Sequence, residues 1–432
     1  MLCLDKLYNR MFWSVGLFCT AGALIVGIGS IKFALFNWIL LLIFVIRICQ
    51  IIANNQCKVY YNKQFLPWYI LCLIIFFSSL FSISSLPYLW GGSSLVQAGK
   101  LLIYILGFIV LFPLNRLYSF KDEFFHGLKN GCIVQLLWGV LQAIYWYGFG
   151  IDFNYLVFGE LLNVSVEGVY WDNRNIIGGT ILRFSGLSWE QANFALVMII
   201  GIVLFKNYYM KIIFMLMIIF SYSKTGLLCL LVLIIVKTFE YLKRWYVDLN
   251  VHCNINSFGK YIFLLCSCLL LILAEFDKVI FFYETVCTGL DFLYIAIVTE
   301  ENLSGNIHKL YYTSLLDLLS KSSLPQVIFG YGTFSAGYPY DFYNIVKYGS
   351  NWIWNPESDF ITIVVGNGIV GAIAYYYIVF KNIFFGKSTA NTYISIAILI
   401  CGITYLYIRG TWSMLLLFYI YIDSLQRLYG NK

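Results

Sequence analysis

Polar and apolar positions in this chain do not alternate; apolar residues run together in long blocks separated by short polar connections. A helix crossing a bilayer needs about 20 predominantly apolar residues. Blocks of about that kind fall at approximately 11–31, 33–52, 65–86, 95–113, 131–151, 191–206, 211–223, 225–239, 259–276, 357–380, 391–408 and 410–424. The pattern predicts an all-α, polytopic membrane protein of about twelve transmembrane helices. The first block is too long for the apolar part of a signal peptide and lacks a small-residue cleavage site, so it is read as a span that stays. No internal repeat or low-complexity linker divides the chain, and residues 1–432 are read as a single integral membrane domain.

Two segments interrupt the rhythm of short connections, 152–190 and 277–356. Loops beyond about 12–15 residues are usually functional or disordered, and the aromatic content here argues for order. Within the second, His308-Lys309-Leu-Tyr-Tyr-Thr-Ser-Leu-Leu-Asp-Leu-Leu319 gathers leucines mainly on one helical face. That predicts a helix lying on or over the membrane. Turn signals follow at Phe329-Gly-Tyr-Gly332 and Gly337-Tyr-Pro339.

Composition agrees: 61% of residues are hydrophobic and 11% charged, against roughly 25% charged in soluble domains. The net charge of +7 is scattered over short loops, a topology signal and not a nucleic-acid surface. With the N-terminus inside, cytoplasmic segments collect most Lys and Arg, including Lys6, Arg10, Arg116, Lys121, Lys243, Lys381 and Arg427. Both termini are then cytoplasmic, and both long segments lie outside. Most cysteines, such as Cys19, Cys132, Cys229 and Cys401, sit inside apolar runs, where Cys behaves as a small hydrophobe. With three His in the chain and no zinc-ligand spacing, neither a disulfide framework nor a metal site is expected.

Candidate chemistry collects on the outer side. Arg174, Arg183 and Glu190 belong to the first long segment, and Lys224 to the tight turn Ser221-Tyr-Ser-Lys-Thr-Gly226. His308 and Lys309 lie in the second segment, and Pro356-Glu357-Ser358-Asp359 ends it. Ionisable groups at a membrane helix are costly and mark sites by default. Arg and Lys suit a diphosphate, and a carboxylate beside an apolar helix can act as a general base. Each also has a plainer reading. Loop arginines meet headgroups, Lys224 can snorkel, and Glu357 can be an acid favoured by a helix N-terminus.

These residues resemble the O-antigen polymerase (Wzy-type) and O-antigen ligase superfamily of bacterial envelope enzymes. Ligases there carry His followed by Asn, Ser or Gln, nine residues, then Gly-x-x-Gly. In this chain Glu357-Ser358, residues 359–367 and Gly368-Ile-Val-Gly371 keep the spacing with Glu in place of His. Ser221 to Gly226 resembles the family's Ser-Arg-Gly turn with Lys224 for Arg. Arg183-Phe-Ser-Gly186 through Asn193 resembles the stretch entering the sixth span, and His308 to Phe334 resembles the helix-and-glycine part of the large periplasmic loop.

The resemblance implies a GT-C-like glycosyltransferase architecture in the bacterial inner membrane. Its activity would be inverting, metal-independent and without cofactor, on undecaprenyl-diphosphate-linked glycans among membrane lipids. A chain-length regulator and a flippase would be its partners. Glu357 would be catalytic. Arg183, Lys224, His308 or Lys309 and Arg174 would hold diphosphate or sugar, with Asp359 and Glu190 as support or sugar ligands. The alternatives are an O-antigen ligase, which the Glu-for-His change disfavours, and a lipid-linked oligosaccharide flippase, which the long outer segments disfavour.

Overall fold

The computed structural model describes residues 2–22, 24–28, 31–54, 60–85, 88–161, 176–177, 181–188, 190–248, 311–343, 345, 356, 358–385, 389–404 and 412–429. Within them the apolar blocks become helices: α1 (Leu2–Phe18), α2 (Leu35–Ala53), α3 (Leu66–Ser85), α4 (Tyr88–Leu111) and α5 (Leu114–Phe149). Three more follow, α6 (Gln191–Leu204), α7 (Tyr208–Phe220) and α8 (Lys224–Asp248). The second long segment contributes short helices α9 (Leu315–Lys321), α10 (Leu324–Phe329) and α11 (Gly337–Phe342). The chain then continues in α12 (Asp359–Phe385), α13 (Thr389–Thr404) and α14 (Trp412–Tyr429).

Among the described residues, four helical stretches are long and apolar enough to cross a membrane: Leu35–Ala53, Lys63–Leu80, Leu114–Phe149 and Asp359–Phe385. This is the architecture of a helical membrane protein. The span expected at 259–276 lies outside the described residues.

Two expected spans differ in outline. The block at 11–31 is helical only to Phe18, and Ile25–Ile28 (β1) then pairs antiparallel with Ile31–Ala34 (β2). Gly22 and Gly27 weaken a helix there, and the β-branched residues between and after them favour extended backbone. The block at 131–151 is only the second half of α5, whose 36 residues make a rod about 54 Å long. Its polar first half lies along α1, where Phe12 stacks on Phe120 at 4.2 Å.

Helix α6 is apolar all round and buried at every position from Phe194 to Gly201, so it is the central element. It packs on α5, α7, α8 and α13, while α13 also packs on α12 and α14. The polar contacts sort to opposite ends of the bundle. At one end Asp5 pairs with Arg116 (3.0 Å) and buried Lys121 with Asp423 (2.6 Å). Lys381 donates to Tyr421 (2.8 Å) and Tyr393 to Glu240 (2.6 Å) at the same end.

Candidate functional site

At the other end, the chain leaves a short hairpin of Ile176–Ile177 (β3) and Ile181–Leu182 (β4) and turns into the bundle. Phe184, Ser185, Gly186, Leu187 and Ser188 are buried, while Arg183 keeps partial exposure. Irregular backbone at such depth persists only where protein groups satisfy it. One face of α5 and the Asn154 turn that follows it supply them. Gln142 Oε1 accepts from Gly186 N–H (2.9 Å) and Gln135 Oε1 from Leu187 N–H (2.8 Å). Asn154 donates to Ser185 Oγ and Gly186 O, both at 3.2 Å, and its own carbonyl accepts from Trp138 (2.7 Å). Gly186 has φ +57°, and a Cβ there would stand 2.2 Å from Gln135 Oε1.

Arg183 is held from its other side by the turn between α7 and α8. Phe184 N–H donates to Phe220 O and Arg183 Nη2 to Tyr222 O, each at 3.4 Å. Tyr222 has φ +49°, which bends the chain sharply. Ser223 caps α8 by accepting from Gly226 N–H (3.2 Å), and Lys224 is its exposed first residue. Two segments that the sequence separates, one around Arg183 and one around Lys224, therefore adjoin.

The start of α12 forms a second locus. Ser358 caps it, its Oγ accepting from Ile361 N–H at 3.4 Å. Tyr312 reaches it from the second long segment: its hydroxyl lies 2.6 Å from Ser358 Oγ and also donates to Ile403 O at the end of α13. Burial pushes the Tyr312 phenol well above its usual range, so it stays a donor. A carbonyl can only accept, so the Tyr312 proton goes to Ile403 O and Ser358 donates to Tyr312. Asp359 is buried at the first turn of α12, where a helix dipole favours an acid. It lies against α13, with Oδ2 2.8 Å from where a Cβ on Gly402 would stand.

Tyr312→Phe removes the hydroxyl that joins three elements and leaves the Ile403 carbonyl buried without it. We expect a loss of about 1–3 kcal/mol, read as a lower thermal midpoint of the detergent-purified protein. An unchanged midpoint would mean that the tether contributes nothing.

Helix α12 is broken at Gly368, whose φ of 69° and ψ of −177° are not helical. The break frees the carbonyls of Val365 and Gly366, which accept from Tyr331 N–H (2.9 Å) and Gly332 N–H (2.8 Å). The backbone of the second long segment thus docks into a gap in a membrane helix. Beside it, Asn367 donates to Ser78 Oγ (2.8 Å) and Thr333 Oγ1 (2.6 Å), joining α3, the segment and α12. The two glycine motifs noted in the sequence are the two halves of one contact.

Arg183, Lys224 and Glu190, which is at the N-cap of α6, gather around α6 and α8. Asp359 is buried against Gly402 of α13. Glu357, Arg174, His308 and Lys309 lie outside the described residues. Of the described residues nearest to them in the chain, Tyr312 and Ser358 meet at the Tyr312 hydroxyl. Sequence reasoning passed over Gln135, Trp138, Gln142 and Asn154. For Gln135, Trp138 and Gln142 the signal was a spacing of three and four residues along one face of α5, which Asn154, beyond the helix, does not share. No protein family matches the chain, and no curated protein matches it.

Proposed function

We propose that this protein is a polymerase of lipid-linked oligosaccharide repeat units, working on the periplasmic face of a bacterial inner membrane with both termini cytoplasmic. The observation that carries the reading is convergence. The Arg183 segment meets the Lys224 turn, and the helix that follows His308-Lys309 is tied to the cap that follows Glu357. All of these contacts are at one end of the bundle, around α6, α8, α12 and α13.

In this reading the donor is a glycan on undecaprenyl diphosphate and the acceptor is the terminal hydroxyl of a single lipid-linked repeat unit. Glu357 takes the hydroxyl proton as the oxygen bonds to the anomeric carbon. The bond from that carbon to the diphosphate oxygen breaks, and the electron pair leaves with the diphosphate. Arg183, Lys224 and Lys309 or His308 stabilise the charge that develops there. One displacement inverts the centre. A diphosphate leaving group needs little protonation, so the paired acid of a glycosidase is not required.

A broken membrane helix is also a device of transporters, where freed carbonyls coordinate ions. In α12 those carbonyls are occupied by Tyr331 and Gly332 N–H groups, which weighs against a flippase. Deletion of the gene and a gel of the surface glycan test the reading. We expect the ladder to collapse to a single repeat unit on lipid A-core. Polymer accumulating on the carrier lipid would indicate a ligase, and single units held on the cytoplasmic side a flippase.

A further inference from the structure

We infer that Gln142, two turns before the end of α5, is a positioning residue for Arg183, acting with Ser185 and Asn154 and touching no substrate itself. This rests on the reading of Arg183 as a diphosphate-binding group.

Gln142 and Gln135 are both fully buried, one on each side of the turn at Gly186. Gln142 uses both ends of its amide: Oε1 accepts from Gly186 N–H at 2.9 Å and Nε2 donates to Ser185 Oγ at 3.4 Å. Asn154 donates to the same hydroxyl (3.2 Å) and is itself fixed by Trp138 (2.7 Å). Gln135 donates onward to Thr20 O at 2.6 Å, and Ser188 donates to that same carbonyl at 3.1 Å. Buried polar networks of this kind rigidify and specify one arrangement.

An apolar loop of equal volume would fill the same space, so filling is not what the two glutamines add. They fix the path of backbone one and two residues beyond Ser185. Arg183 precedes that anchor by two residues and is tied on its other side to Tyr222 O. Its backbone thus runs between two fixed points, the α5 face and the α7–α8 turn. The half-buried guanidinium, tied at Nη2 to Tyr222 O, lies beside the turn that starts α8. A charged fork held ready in this way loses less freedom on meeting a diphosphate.

The probe is undecaprenyl diphosphate itself, titrated against the full chain purified in detergent and compared at equal amounts of folded protein. Arg183→Ala is expected to weaken binding about tenfold, the value of one charge-assisted contact. Gln142→Met should weaken it by about three- to tenfold without any contact to the lipid. Ser185→Ala, a smaller change that spares the core, should act in the same direction. The double variant Arg183→Ala with Gln142→Met should bind no more weakly than Arg183→Ala alone, because one residue acts through the other. Gln142→Glu should restore binding, since a neutral carboxyl offers an acceptor and a donor in the same places.

Wild-type binding by both Gln142→Met and Ser185→Ala, beside a weak Arg183→Ala, would overturn the positioning role and leave the diphosphate reading intact. Losses that multiply in the double variant would do the same. Equal binding by wild type and Arg183→Ala would overturn the diphosphate reading, and this inference with it.

Discussion

Gly368→Ala is expected to unseat the 311–343 segment from α12 and to lower stability by about 4 kcal/mol. Two effects add. A side chain at φ 69° and ψ −177° occupies a region open essentially to glycine alone. The new Cβ would also stand 2.1 Å from Ile328 O, a backbone atom that cannot swing aside. Relief requires α10 to move, and that movement breaks the two hydrogen bonds from Tyr331 and Gly332. Thermal unfolding in detergent gives the stability, and limited proteolysis within 311–343 gives the local release. Gly99→Ala is the control: it lies in α4 with nothing within 4 Å of the added carbon. A Gly368→Ala protein as stable and as protease-resistant as this control would mean that the break is not a fixed feature.

The apolar blocks were legible because burial in lipid leaves a signal in composition alone. Helices α2, α3, α12 and α13 follow their expected spans closely for that reason. Residues 19–34 were misread for the same reason: an apolar run with glycines satisfies a window average whether it forms helix or hairpin. The first half of α5 was missed because Arg116, Lys121 and Lys129 look like a connection, although charged residues at the end of a long helix need not stop it. The glycine motifs were visible as motifs. Their mutual docking was not, because pairing between residues 331–332 and 365–366 leaves no local periodicity in either stretch. Gln135 and Gln142 looked like isolated polar residues inside a span. Their spacing on one face of α5 hints at a shared role, but their partners Gly186 and Leu187 lie in a loop far along the chain that the spacing does not name.

Helix α13 is what makes the two loci one candidate site. It accepts the Tyr312 hydroxyl at Ile403 and receives Asp359 at Gly402. On its other side it packs against α8, with Cys229 Sγ 3.9 Å from Ala397 O. Cys229 lies about 7.5 Å along α8 from Lys224. The acid-bearing cap and the cationic turn are therefore separated by a single helix.

Glu357→Gln is expected to abolish polymerisation while leaving the protein in the membrane at its normal level. The amide keeps the size and hydrogen-bonding reach of the acid but cannot take a proton from the acceptor hydroxyl. Removing a general base lowers a rate by about 10²- to 10⁴-fold, which over many additions empties the ladder. Folding should be spared because the cap of α12 is made by Ser358 and its tether by Tyr312, neither of which the substitution touches. Asp359→Asn is the informative contrast: that carboxyl is buried against Gly402, so its replacement should lower the amount of folded protein as well. The measurement is a gel of surface glycan beside a membrane immunoblot, in cells lacking the native protein. A single repeat unit on lipid A-core with normal protein level is the expected result. An undisturbed ladder would remove Glu357 as the base and leave the Arg183–Lys224 locus to be tested separately, because cation binding there does not depend on which group takes the proton.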